Sequence, residues 1–158
     1  MVAKSGSEPV QIEHLLGIVR RLRDPDQGCP WDVGQTFQSI VPHTIEEADE
    51  LADAIESNDF DQIREEAGDV LFQVLFYAQM ADEKQHFNFA DVVEGLSEKL
   101  IRRHPHVFSP NSNAQQEVPI AVSDVSDSWE KIKRTERQRK QQSGILDDIP
   151  RNLPALTR

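Results

Sequence analysis

The sequence predicts an all-α protein, an antiparallel bundle of four core helices followed by a C-terminal helix. Three observations carry that expectation. Apolar residues recur at helical spacing in five segments. Proline, glycine, asparagine and aspartate punctuate the gaps between them. No strand-like alternation extends beyond a few residues.

The first segment, "VQIEHLLGIVRRLR" (Val10 to Arg23), places Ile12, Leu15, Leu16, Val19 and Leu22 on one helical face, and Pro25 stops the run. "DPDQGCPWDVGQ" follows, with two prolines and two glycines in a dozen residues, and reads as an ordered loop with Trp31 as its anchor. Thr44 and Glu47 have the form of a capping box, and Pro42 just upstream suits a helix start. That second helix runs to about Ser57, with Ile45, Ala48, Leu51, Ala52 and Ile55 inward. Asp59 caps a third, longer helix that reaches about Lys84, its buried stripe being Ile63, Ala67, Val70, Leu71, Val74 and Ala78. Asn88 caps the fourth, which carries Val92, Val93, Leu96, Leu100 and Ile101 and ends at Pro105. "SDVSDSWEKIKRTERQRKQQ" is a last helix with a basic half, packing through Val125, Trp129 and Ile132. The organisation expected is a disordered stretch at 1–9 and one domain at 10–142 with a flexible loop at about 109–123. A tail, or the start of a linker, follows at 143–158.

With 28 acidic against 17 basic residues the chain carries a net charge of -11, which argues against a nucleic-acid polymer as partner. Cys29 is the only cysteine, so no intrachain disulfide forms. No apolar run approaches the roughly 20 residues of a membrane span, and "MVAKSGSEPVQ" lacks the apolar core of a signal peptide. A cytoplasmic protein without membrane contact is expected.

The chemistry concentrates in Thr44 to Gln73, "TIEEADELADAIESNDFDQIREEAGDVLFQ". At about 100° per residue, Glu47 and Glu50 share a ridge beside Leu51, while Glu66 and Asp69 share one with Gln73 beside Val70. The short turn "ESNDFD" makes the two helices antiparallel neighbours, so the pairs face each other. Like charges at that spacing cost helix stability. Two readings stand: a solvated acidic face, or a site for a hard divalent cation that takes oxygen ligands. Asp49, Asp53, Glu56, Asp61 and Glu65 belong to a solvated face. Gly68, between the second pair, suits close approach of another helix or a ligand. A set without histidine or cysteine argues against zinc.

"EEADE" (Glu46 to Glu50), a 15-residue gap and "EAGD" (Glu66 to Asp69) resemble the E-E-x-x-E, spacer, E-x-x-D pattern of the MazG family of all-α nucleoside triphosphate pyrophosphohydrolases. "RLRDPDQGCPWDVGQTFQSI", "GDVLFQVLFYAQMA", "KLIRRHPHVF", "SWEKIKRTER" and "LDDIPRNLPAL" are also similar to that family, from about residue 12 onward. The resemblance implies hydrolysis of a (deoxy)nucleoside triphosphate to monophosphate and pyrophosphate by metal-activated water, with Mg²⁺, or Mn²⁺ in its place. It implies metal ligands at Glu47, Glu50, Glu66 and Asp69, with Glu46, Glu47 and Glu50 as the catalytic group. It also implies phosphate contacts from Lys99, Arg102 and Arg103, with Trp129 and Lys133 closing over the nucleotide. "GCPWD" is a family hallmark for which packing of the loop is the reading. Many relatives carry two tandem copies, and this chain resembles the first. The resemblance implies a homodimer. The competing reading is a nucleotide-binding or dimerisation domain of a two-domain protein, without turnover.

Overall fold

A computed structural model describes residues 11–108 and 122–139. Among these residues there are seven helices and no strand: α1 (Ile12–Leu22), α2 (Pro30–Val33), α3 (Phe37–Glu56), α4 (Phe60–Glu83), α5 (Phe89–Arg103), α6 (Pro105–Phe108) and α7 (Val122–Arg139). The all-α expectation holds, with one-turn helices α2 and α6 added to the five long ones. The chain divides into two compact units, residues 1–94 and 95–158, with the boundary inside α5. The stretches expected at 1–9 and 143–158, and all but the last two residues of the 109–123 loop, lie outside the described residues.

In the first unit α3 and α4 form a long helical hairpin. Its start corrects the sequence reading. Thr36, not Thr44, is the cap: its hydroxyl accepts from Ser39 N at 3.2 Å while its own N–H donates to Ser39 Oγ at 2.8 Å. Pro42 then lies inside the helix. It removes one backbone donor from the second turn. Thr44, about two turns after the cap, donates its hydroxyl to Ile40 C=O at 3.2 Å and shares a hydrogen bond of 2.8 Å with the Tyr77 hydroxyl of α4. Its role is to join the two helices rather than to begin one.

The caps expected at Asp59 and Asn88 are present. Asp59 Oδ1 accepts from Asp61 N and Gln62 N at 3.1 and 3.2 Å, and Asn88 Oδ1 accepts from Ala90 N and Asp91 N at 2.8 and 3.3 Å. Asn58, with φ 55, makes the left-handed corner of the hairpin turn, a conformation asparagine adopts more readily than most residues.

Val19, Ile40, Leu75, Phe76 and Met80 are the buried cluster, with Leu15, Leu16, Phe37, Phe72, Tyr77 and Phe89 packed around it. This differs from the expected stripes. Ile45 is 47% and Ile55 54% exposed, Ala48 and Ala52 are exposed, and in α4 Ala67, Leu71 and Val74 are exposed while Ala78 is buried. Helix α3 has two adjacent faces that qualify as apolar. The hairpin turns the one through Ile40, Leu51 and Ala54 toward α4, and among the described residues the one through Val41, Ile45 and Ile55 is exposed.

Trp31 does not anchor its loop: it is 54% exposed and meets His43 edge-on at 5.8 Å. The buried residue there is Asp32. The anchor is Arg23, which donates to Asp32 C=O at 2.6 Å and to both carboxylate oxygens of Glu83 at 2.8 and 2.7 Å. Its guanidinium lies 5.2 Å from the Phe76 ring centroid. A tryptophan that looks like a packing residue is thus displaced by a forked cation able to satisfy a carbonyl and a carboxylate together. Gly28 closes the turn, since a Cβ there would lie 2.4 Å from Leu22 C=O and 2.5 Å from Asp24 C=O.

In the second unit Val125, Trp129 and Ile132 of α7 are half-buried, as expected of its packing face. No described helix is long and apolar enough to cross a membrane.

Candidate metal centre

The α3–α4 hairpin brings Glu47, Glu66 and Asp69 together, each offering an oxygen that lies within 4.8 Å of the other two. Glu47 and Glu66 are half-buried. Burial, followed by the charges of Asp69, Glu50, Glu66 and Glu46, raises the Glu47 carboxyl above its ordinary value. Glu66 is raised in the same way, by burial and then by Glu50, Asp69 and Glu65. These are the effects of like charges sharing a partly desolvated site.

Glu50 is exposed but belongs to the same field: it raises both carboxyls and, with Glu66, lines a polar groove of about 180 Å³ together with Asp53, Ala54, Ser57 and Gln62. Glu46 is exposed, its carboxylate 3.4 Å from His43 Nδ1, and its charge also acts on Glu47. Of the ten residues singled out from sequence, the hairpin thus clusters three at ligand spacing and a fourth beside them. Among the described residues nothing approaches Gly68 closely, since a Cβ there would meet no atom within 4 Å. The donor set is all carboxylate oxygen, with no sulfur or imidazole in the group. That suits a hard cation such as Mg²⁺ and not zinc.

The basic residues assemble in the second unit. Arg102 and Arg103 both grip Glu136 of α7, Arg102 through Nε and Nη2 at 3.0 and 2.7 Å, and Arg103 through Nε at 3.2 Å and through Nη2. These bonds, Arg103 first and then Arg102, hold the Glu136 carboxyl down at about 2. The Arg103 guanidinium lies 5.3 Å from the Trp129 ring centroid, and Trp129 meets His104 edge-on at 5.1 Å. Lys133 pairs with Glu130 at 3.3 Å, and Lys99 is exposed. Sequence reasoning missed Glu136, although it is the one acid in the basic stretch "KIKRTERQRK". Gln73 was also passed over as a ridge neighbour. Its signal was a lone amide inside the apolar run "VLFQVLF".

Fold and site together define an all-α protein whose central helical hairpin carries a carboxylate cluster suited to a hard divalent cation. The MazG nucleotide pyrophosphohydrolase domain matches residues 35–108, a span that contains all four carboxylates. Over those residues the chain carries a MazG-type domain. It is 55% identical over 148 residues to the nucleoside triphosphate pyrophosphohydrolase of Escherichia coli K12, covering 94% of this chain and 54% of that one. It is 43% identical over 150 residues to the nucleoside triphosphate pyrophosphohydrolase/pyrophosphatase MazG of Thermotoga maritima, covering 94% and 53%. The chain therefore spans about half the length of these relatives. A crystal structure of a mazG-related protein from Thermotoga maritima superposes with a TM-score of 0.61 at 27% identity, covering 77% of this chain and 98% of that one.

Proposed function

We propose that this chain hydrolyses nucleoside triphosphates between the α and β phosphorus atoms, giving monophosphate and pyrophosphate, with Mg²⁺ held by Glu47, Glu50, Glu66 and Asp69. The observation that carries this reading is the convergence of Glu47, Glu66 and Asp69 oxygens within 4.8 Å, in a setting that raises Glu47 and Glu66. Repulsion of that kind is relieved when a cation binds. The names of the relatives support the reaction class. When bound, the cation would neutralise phosphate charge and acidify a water. Glu46 and the carboxylates of the ridge orient and deprotonate the attacking water. Within the second unit, Lys99, Arg102, Arg103 and Lys133 are the residues proposed for phosphate contact, and Trp129 the one proposed to stack on a base.

The test is product analysis by phosphorus NMR of the purified chain with each nucleoside triphosphate and Mg²⁺, alongside Glu47→Ala. Monophosphate and pyrophosphate, absent in the variant, are expected. Nucleotide binding without product would instead assign turnover to the part of the relatives that lies beyond this chain's match.

We further infer a homodimer. The face of α3 and α4 left bare, through Val41, Ile45, Ile55, Leu71 and Val74, has the helical periodicity of a core stripe. A second copy would cover it.

A further inference from the structure

One polar atom on the ridge of Glu66 and Asp69 has no place in the reading above. Gln73 is 6% exposed, and its Oε1 is buried with no hydrogen-bond partner among the described residues. Buried carbonyl oxygens are rarely left in that condition without a reason. Gln73 stands on α4 four residues after Asp69 and seven after Glu66, so the three follow one ridge of the helix. Long helical side chains lean back toward the N-terminus, which here means toward the turn that carries Asp69. One turn in the other direction, the Tyr77–Thr44 hydrogen bond at 2.8 Å joins α3 to α4 below it. Gln73 thus stands on the helix one turn from Asp69 on one side and one turn from Tyr77 on the other. The Thr44 and Tyr77 hydroxyls bond to each other, Thr44 also reaches Ile40 C=O at 3.2 Å, and neither hydroxyl partners Gln73 Oε1.

We propose that Gln73 is a positioning residue for the cation site, its buried Oε1 accepting a hydrogen bond from the hydration shell of the divalent ion held by the carboxylates. A hard cation bound by few side chains keeps water, and the strongly polarised O–H groups of that water are the donors that a dry acceptor lacks. The ionised carboxylates are acceptors only and offer Gln73 Oε1 no donor. The neutrality of glutamine also fits: a further negative charge on the ridge would add to the repulsion already raising Glu47 and Glu66, whereas an amide supplies an acceptor without it. The inference rests on the cation reading of the site.

The experiment is Mn²⁺ binding by isothermal titration calorimetry to the wild-type chain, Gln73→Leu and Gln73→Met, with thermal unfolding of each protein without metal. Removing an orphaned acceptor should leave the metal-free Tm unchanged or higher, while Mn²⁺ affinity falls by about tenfold or more. A loss of affinity smaller than about tenfold in the folded variants overturns the proposal. So does a fall in metal-free Tm that matches the fall in affinity, which marks a packing role. If neither variant folds, the Gln73 side-chain carbonyl of the wild-type chain decides by carbon NMR. A shift on saturation with Mg²⁺ supports the contact, and an unmoved signal refutes it. No Mn²⁺ binding by the wild-type chain removes the cation reading itself, an outcome distinct from intact binding by the Gln73 variants.

Discussion

Replacing Glu136 by glutamine tests whether the two arginines of α5 are held by charge. Glu136 is lowered from the ordinary 4.5 to about 2, and each pKa unit corresponds to about 1.4 kcal/mol. The ceiling is therefore about 3.4 kcal/mol at neutral pH. Its side chain is 16% exposed and that of Arg102 45%, so screening by water reduces the expected loss to about 1–2 kcal/mol. The sign follows from a depressed carboxyl: the stabilisation is present above the unfolded value and disappears as pH falls from 4.5 through about 2. Urea unfolding of wild type and Glu136→Gln, followed by circular dichroism, should show the full difference at about pH 7 and less than half of it at about pH 3. An equal difference at both values, or none at neutral pH, would refute the ionic account and leave Arg102 and Arg103 indifferent to α7.

The other expectations concern the hairpin. Glu47→Gln should raise the metal-free Tm at neutral pH by about 1–3 °C, because it removes one member of a like-charged group. The same variant should lose the rise of about 5–10 °C that Mg²⁺ at a hundredfold excess over Kd gives the wild type; a rise of wild-type size would show that Glu47 holds no cation. Since Glu47 and Glu66 are raised, the metal-free wild type should lose stability as pH climbs past the ordinary carboxylate range, and Mg²⁺ should abolish that loss. Sedimentation equilibrium should show a dimer for the wild type and a monomer for Ile45→Asp. A monomeric wild type at concentrations up to about 100 μM would reject the homodimer, since a stable interface is commonly tighter than that.

Much of the hairpin was legible in the sequence. Asp59 and Asn88 cap their helices as expected, because a cap depends on a residue and the two or three after it. The carboxylates met because Glu47, Glu66 and Asp69 lie on ridges that a short turn folds together. The start of α3 was misread for a local reason: Thr36 with Ser39 and Thr44 with Glu47 both satisfy a capping pattern, and Pro42 favours the second only if it begins the helix. The packing stripe was misread for a different reason. Periodicity shows that Ile45, Ala48, Ala52 and Ile55 share a face, but it does not distinguish a face covered by α4 from one left bare.

The sequence by itself determined the helical class, the caps at Asp59 and Asn88, and the spacing of the four carboxylates. All of these follow from interactions within a turn or two of chain, where i to i+4 geometry is the same in any context. Only the tertiary structure decided which apolar face is buried and which charges pair. Arg23 with Glu83, 60 residues apart, Thr44 with Tyr77, 33 apart, and Arg103 with Glu136, also 33 apart, were each one choice among many chemically equal ones. With 28 acids and 17 cations in the chain, charge alone does not select partners. Selection comes from helix packing, which brings a forked guanidinium to a carboxylate and a carbonyl at once and buries Gln73 Oε1 without a partner among the described residues.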